Sequence, residues 1–82
     1  MRRVAASRVF MNEKEFFNNH VVELFNHSVT NHYPLKEELP MTEWLGGTII
    51  IRDGEAYHTP ELLSSAELSA YNGSGNRYVQ RL

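Results

Sequence analysis

Asp53-Gly54 constrains this chain more than any other dipeptide. It separates Thr48-Ile49-Ile50-Ile51-Arg52 from Glu55-Ala56-Tyr57-His58, and Asp-Gly between runs of β-branched and aromatic residues is among the strongest short-range signals for a two-residue hairpin. A lone hairpin is marginal in water, so this one requires further strands sharing its apolar face. Those strands are present. Arg3 to Phe10 alternates weakly and is rich in small and β-branched residues, and Met11 to Glu15 reads as a polar turn. Asn19 to Phe25 places Val22 and Leu24 on one face and Val21, Glu23 and Phe25 on the other. Asn26-His27 is a second tight turn, since Asn tolerates positive φ. Ser28 to Leu35 then sets Val29, Tyr33 and Leu35 against Ser28, Thr30 and His32, with Pro34 marking an edge or exit.

Gly46-Gly47, after Trp44-Leu45, predicts a turn or bulge before the Thr48 strand. Thr59-Pro60-Glu61 reads as N-cap, first-turn proline and first-turn acid, and Asn72-Gly73 as a stop. These bracket one short helix, about residues 60–71, with Leu62, Leu63, Ala66 and Ala70 on its apolar face; a shorter helix starting at Ser64 or Ser65 is the alternative, since Ser64 and Glu67 have capping-box spacing. Asn72 to Asn76 has loop composition, and Arg77 to Leu82 alternates as a terminal strand that either closes the sheet or pairs with a second copy. The expected fold is mainly β: a small β-sandwich or open barrel of five to six mostly antiparallel strands, with that one helix. It is read as a single domain over residues 1–82.

With 82 residues, a chain buries only roughly 60–65% of its unfolded surface, so support from a partner subunit is physically reasonable. The absence of cysteine removes disulfides, thiolate nucleophiles, zinc ribbons and iron–sulfur clusters. A formal net charge of −2 and a pI of about 6.0 argue against an electrostatically driven nucleic-acid binder. The arginines at 2, 3, 8, 52, 77 and 81 are dispersed among acids. No apolar run approaches the ~20 residues of a membrane span. Met1-Arg2-Arg3 lacks the apolar segment of an export signal, so the expected location is cytoplasmic.

His20, His27, His32 and His58 raise a metal hypothesis. Their in-strand spacings oppose it, because residues three or five apart on one strand face opposite ways. Across the Asn26-His27 turn, however, His20 and His32 become cross-strand neighbours. They form the best available pair, with His58 as a weaker third candidate, and half-buried structural histidines are the commoner outcome. Glu37, Glu38 and Glu43 surround Pro40 without a nucleophile or oxyanion device, which favours a solvated or recognition loop over a catalytic dyad. Trp44 is read first as a core-edge residue and second as an interface anchor. Gly46-Gly47 lacks the dinucleotide fingerprint, no phosphate-binding loop motif exists, and no serine sits in a nucleophile elbow. No cofactor is expected.

Val4-Ala5-Ala6-Ser7-Arg8-Val9-Phe10, Asn19-His20-Val21-Val22-Glu23-Leu24 and Val29-Thr30-Asn31-His32-Tyr33-Pro34-Leu35 resemble, in order and type, the opening strands of amidohydrolase-superfamily enzymes. The likeness covers residues 4–35. In that superfamily this region belongs to an accessory β-sandwich domain beside the catalytic barrel. The superfamily continues into a Pro-Gly strand and a His-x-His metal motif. This chain instead reads Leu39-Pro40-Met41-Thr42-Glu43-Trp44-Leu45-Gly46-Gly47, and no His-x-His follows. The resemblance implies an accessory β domain without the barrel, and no catalytic residue carries over.

The expected function is a non-catalytic binding or assembly module whose contact surface is Trp44 with Glu37, Glu38 and Glu43. Its partner is a protein, either a second copy forming a homodimer or another chain. The alternative is a metal-dependent or hydrolase-associated enzyme subunit using His20, His32 and His58 with a partner's residues.

Overall fold

A computed structural model describes residues 1–12, 14–62 and 79–82. Strands β1 (Arg2–Met11) and β2 (Glu15–Phe25) form a long antiparallel hairpin, in register from Arg2 opposite Leu24 to Met11 opposite Glu15. β2 begins four residues before the expected Asn19, taking in Phe16 and Phe17. Asn26-His27 then turns the chain into β3 (Ser28–Pro34), with φ of 49° and 72° at the two central residues, as a type I′ turn requires.

The alternation expected for β3 breaks in its middle. Glu23 faces Asn31 and Leu24 faces Val29, leaving Thr30 as the extra residue of a bulge. Val29 therefore packs on the core while His32, three positions on, meets His20. Tyr33 turns instead to Glu23 on the outer face. The predicted grouping of Val29 with Tyr33, against His32, is thus corrected by a single unpaired residue.

β4 (Glu43–Trp44) and β5 (Thr48–Arg52) lie parallel to β1 along its second edge, β4 beside Val4 and Ala5 and β5 beside Arg8 to Met11. Between them Ala6-Ser7 faces the longer Leu45-Gly46-Gly47, so the bulge expected at the diglycine is present. Gly47 has φ of 89°, and a Cβ there would collide with the Thr59 carbonyl and Pro60. β5 continues through Asp53-Gly54, φ 52° and 79°, into β6 (Glu55–Thr59), forming the expected hairpin. The far edge of β6 meets β3 at one residue pair, Ser28 opposite Glu55. It then accepts β7 (Gln80–Arg81) at Tyr57 and His58. The order β1-β2-β3-β6-β5 and back to β1 closes a five-stranded barrel, with β4 and β7 as two further strands.

Closing so few strands requires sharp bends, and the burial pattern shows where they fall. The interior cluster takes Val4 and Ala6, then Val9, from β1, and Leu24 and Val22, then Phe17, from β2. The inward parity therefore switches between Ala6 and Val9, and between Val22 and Phe17. Asn19, at φ 48°, supplies the left-handed residue within that stretch of β2. Ile49, Ile51, Ala56 and Leu82 complete the interior. Phe10 and Ile50 form a second cluster with Phe16 and Tyr57.

Pro60 to Leu62 are not helical. The Thr59 hydroxyl accepts from the Glu61 N–H at 3.3 Å, as a cap would. The Glu61 carbonyl accepts from the Thr48 hydroxyl at 2.9 Å, which ties this segment to β5. The expected helix thus does not start at Pro60, and its remainder lies outside the described residues, as do Arg77 and Tyr78 of the terminal strand. Among the described residues, no helix is long and apolar enough to cross a membrane.

Two substitutions test this arrangement. Ile49→Ala should lower unfolding free energy by about 2–5 kcal/mol, measured by urea titration, and a loss near zero would place Ile49 outside the core. A Cβ added at Gly54 meets no neighbouring atom, so the cost of Gly54→Val, at least about 1–2 kcal/mol in the same titration, should come chiefly from positive φ.

Candidate functional site

Trp44 lies opposite Ala5 in the β1–β4 ladder. Directly opposed residues share a face, and a methyl group is too small to cover an indole. Trp44 therefore remains 54% exposed, a correction to the core-edge expectation. Its neighbour Glu43 reaches Arg2 with two hydrogen bonds, 2.8 Å from Nε and 3.3 Å from Nη2. That contact holds the Glu43 carboxyl below its usual range and raises the Arg2 guanidinium. Glu43 thus pins β4 to the start of β1 as well as displaying charge.

Glu37 and Glu38 are exposed on the loop between β3 and β4, and a clamp absent from the sequence reading anchors that loop. Arg3, on β1, donates from Nε to Glu23 Oε2 at 3.1 Å and from Nη1 to the Pro40 carbonyl at 3.1 Å. Tyr33 donates to the same Glu23 oxygen at 2.7 Å. The Tyr33 hydrogen bond, followed by Arg3 and Asn31, lowers the Glu23 pKa, while Glu23 raises that of Tyr33. Immediately after Pro40, Met41 adopts φ of 59° and is 91% exposed. A bulky apolar residue in that conformation is uncommon. Trp44 and Met41 are thus exposed apolar side chains, and Glu37 and Glu38 lie on a loop that the Arg3 clamp ties to the barrel wall.

The histidine pair is also brought together. His20 Nε2 and His32 Nδ1 are 2.9 Å apart, although the bulge puts His32 opposite Val22, so the rings meet on the diagonal. Phe17 stacks on His20 at a centroid distance of 4.3 Å. His20 is only 2% exposed, and burial, followed by the adjacent His32, pushes its pKa down. One ring donates and the other accepts, so each spends a nitrogen on the other. His58 does not join them, because its Nε2 bonds the Gly46 carbonyl. Among the described residues, no group of three or more metal-ligating side chains converges. His27, the remaining histidine, bonds the Leu82 backbone oxygen through Nδ1 at 2.8 Å.

The pairing of Glu43 with Arg2 and the meeting of His20 with His32 are each one step from linear spacing, through the edge of β1 and the β2–β3 turn. Arg3, Glu23, Tyr33 and Met41 carry no motif. Only the shared outward parity of Arg3 on β1 and Glu23 on β2 hints at the clamp. Compared with known proteins, the chain matches no family model, no curated sequence and no solved structure.

The lowered pKa values of His20, Glu23 and Glu43 bear on stability. A group whose pKa is lower folded than unfolded binds fewer protons when folded, so acid favours unfolding. Stability should therefore fall as pH drops through the ordinary imidazole range near ~6.5 because of His20, and again near ~4.3 because of Glu23 and Glu43. His20→Gln should flatten the upper limb and Glu23→Gln the lower, read from thermal midpoints across pH. An upper limb unchanged in His20→Gln would assign it to another group.

Proposed function

We propose that this chain is a non-catalytic binding or assembly module whose contact surface is centred on Trp44. The supporting observation is the exposed indole on β4. Its backbone pairs with β1, its neighbour Glu43 is ion-paired to Arg2, and the loop before it is tethered through Pro40 to Arg3. Large apolar side chains held on fixed backbone lose little conformational freedom on binding, which is why aromatic anchors dominate interface energetics. Met41 enlarges the apolar area, while Glu37 and Glu38 supply a charged border that favours a partner with basic groups. The partner in this reading is a protein surface. The resemblance of residues 4–35 to the accessory domain of amidohydrolase-superfamily enzymes agrees with a module that supports another protein's chemistry. A barrel hydrolase without its own β domain is one partner of that kind.

Trp44 is the chain's only tryptophan, so its fluorescence reports on this surface alone. The free protein should show the red-shifted, readily quenched emission of a solvated indole. Trp44→Ala should change unfolding free energy by no more than about 0.5 kcal/mol while abolishing cross-links to the partner formed by the parent chain in cells. Titrating that purified partner into the parent should shift the indole emission to the blue. Cross-linked partners unaffected by Trp44→Ala would overturn the assignment of this surface.

A further inference from the structure

We propose that residues Val79–Leu82 form an exchangeable clasp through which two copies of this chain join, each lending β7 and Leu82 to the other's barrel. Among the described residues, the seam beside the clasp has the fewest paired residues of any in the sheet. β3 and β6 share one residue pair, Ser28 with Glu55, reinforced by a 2.7 Å hydrogen bond from the Val29 N–H to the Gly54 carbonyl. Beyond that point the edge of β6 turns to the clasp. Tyr57 and His58 pair with Arg81 and Gln80, and the Leu82 N–H donates to the Ala56 carbonyl at 2.9 Å. The Leu82 side chain enters the interior cluster at 8% exposure. Arg81 reaches Glu55 at 2.8 Å, and the His27 ring bonds the Leu82 backbone oxygen.

Each of these contacts is local to the clasp and its receptor, so a clasp from a second copy would make the same set. Exchange of an identical element changes the connection and leaves the docking contacts unaltered, which makes it a low-cost route to a dimer. Residues 60–79, fully extended, reach at most roughly 65–70 Å, about twice the 33 Å longest dimension of the molecule. A hollow of about 380 Å³ beside the clasp is lined by Met1, Leu24, Phe25 and Leu82 together with the polar Arg2, Asn26 and His27. Met1 and Phe25 are exposed there, supplying apolar surface where two exchanging copies would meet. This inference is independent of the Trp44 surface, and either can fail without the other.

The chain contains no cysteine, so engineered thiols give a direct test in the full-length protein. His58 and Gln80 are opposed in the ladder, and directly opposed residues lie within disulfide reach. Separately purified His58→Cys and Gln80→Cys chains, mixed at high concentration and oxidised mildly, should form a mixed disulfide. Its yield should exceed that of a Lys14→Cys and Gln80→Cys control by roughly tenfold or more. Adding Leu82→Asp to the Gln80→Cys chain should return the yield to control level. The double variant carrying both thiols in one chain should close an intramolecular disulfide at low concentration, which verifies the register. A mixed yield equal to control while the double variant closes internally would show that the clasp stays within its own chain and overturn the proposal. Failure of the double variant to close would overturn it too, by removing the receptor edge on which it depends.

Discussion

The geometry of this barrel depends on β1 serving three strands with two edges. β2 occupies one edge along the whole of β1, and β4 and β5 divide the other. Sharing that edge requires an interruption, which Leu45-Gly46-Gly47 provides with one residue more than the β1 segment it faces. The collision that any Cβ at Gly47 would cause with Thr59 and Pro60 makes this interruption a point of close packing as well as a bulge. Two other irregularities, Asn19 at positive φ and the unpaired Thr30, bend β2 and β3. Together the three turn a short sheet into a closed wall around Val4, Val9, Val22 and Ile49.

The same departures from regularity create the polar features. The Thr30 bulge directs His32 toward His20, so two imidazoles share a hydrogen bond next to Phe17 instead of facing opposite sides of the sheet. On the outside, Arg3, Glu23 and Tyr33 come from three adjacent strands and converge on one carboxylate oxygen. The second arm of Arg3 carries that network to Pro40. A loop that its composition would leave solvated is thereby fastened to the wall at Pro40.

Turn chemistry made much of the fold readable. Asp53-Gly54, Asn26-His27 and Gly46-Gly47 all lie where their dihedral preferences place them, because those preferences are local. Counting outward from the Asn26-His27 turn brings His20 and His32 to neighbouring positions, but only the bulge turns both rings to the same face, since the unbroken register would set His20 opposite Tyr33. What escaped prediction depends on contacts distant in sequence or on one added residue. No pattern in Thr48–Arg52 declares that it will run parallel to β1, and nothing in Ser28–Pro34 announces that Thr30 is unpaired. The exposure of Trp44 is set by the size of Ala5, a neighbour known only once the ladder is known. The Arg3 clamp likewise depends on register and on the path of a loop, neither of which has a residue signature. The helical reading does not hold for Pro60 to Leu62, where the Glu61 carbonyl is tied to Thr48 of β5, a contact that no local pattern announces.

The position of Leu82 in the interior has a kinetic consequence. The β1–β2, β2–β3 and β5–β6 pairings join neighbours in sequence and can form as soon as each pair of strands exists. The parallel union of Arg8 with Thr48 must wait for a long loop to close, and such non-local pairings slow folding. Leu82 comes later still, because its place is made by β6 and by His27 on the β2–β3 turn. During synthesis the nearly finished barrel therefore holds an open seam beside the exposed Phe25 until the clasp arrives. Under the proposed exchange, the local concentration of nascent copies sets how far a neighbour's clasp competes with the tethered one for that seam.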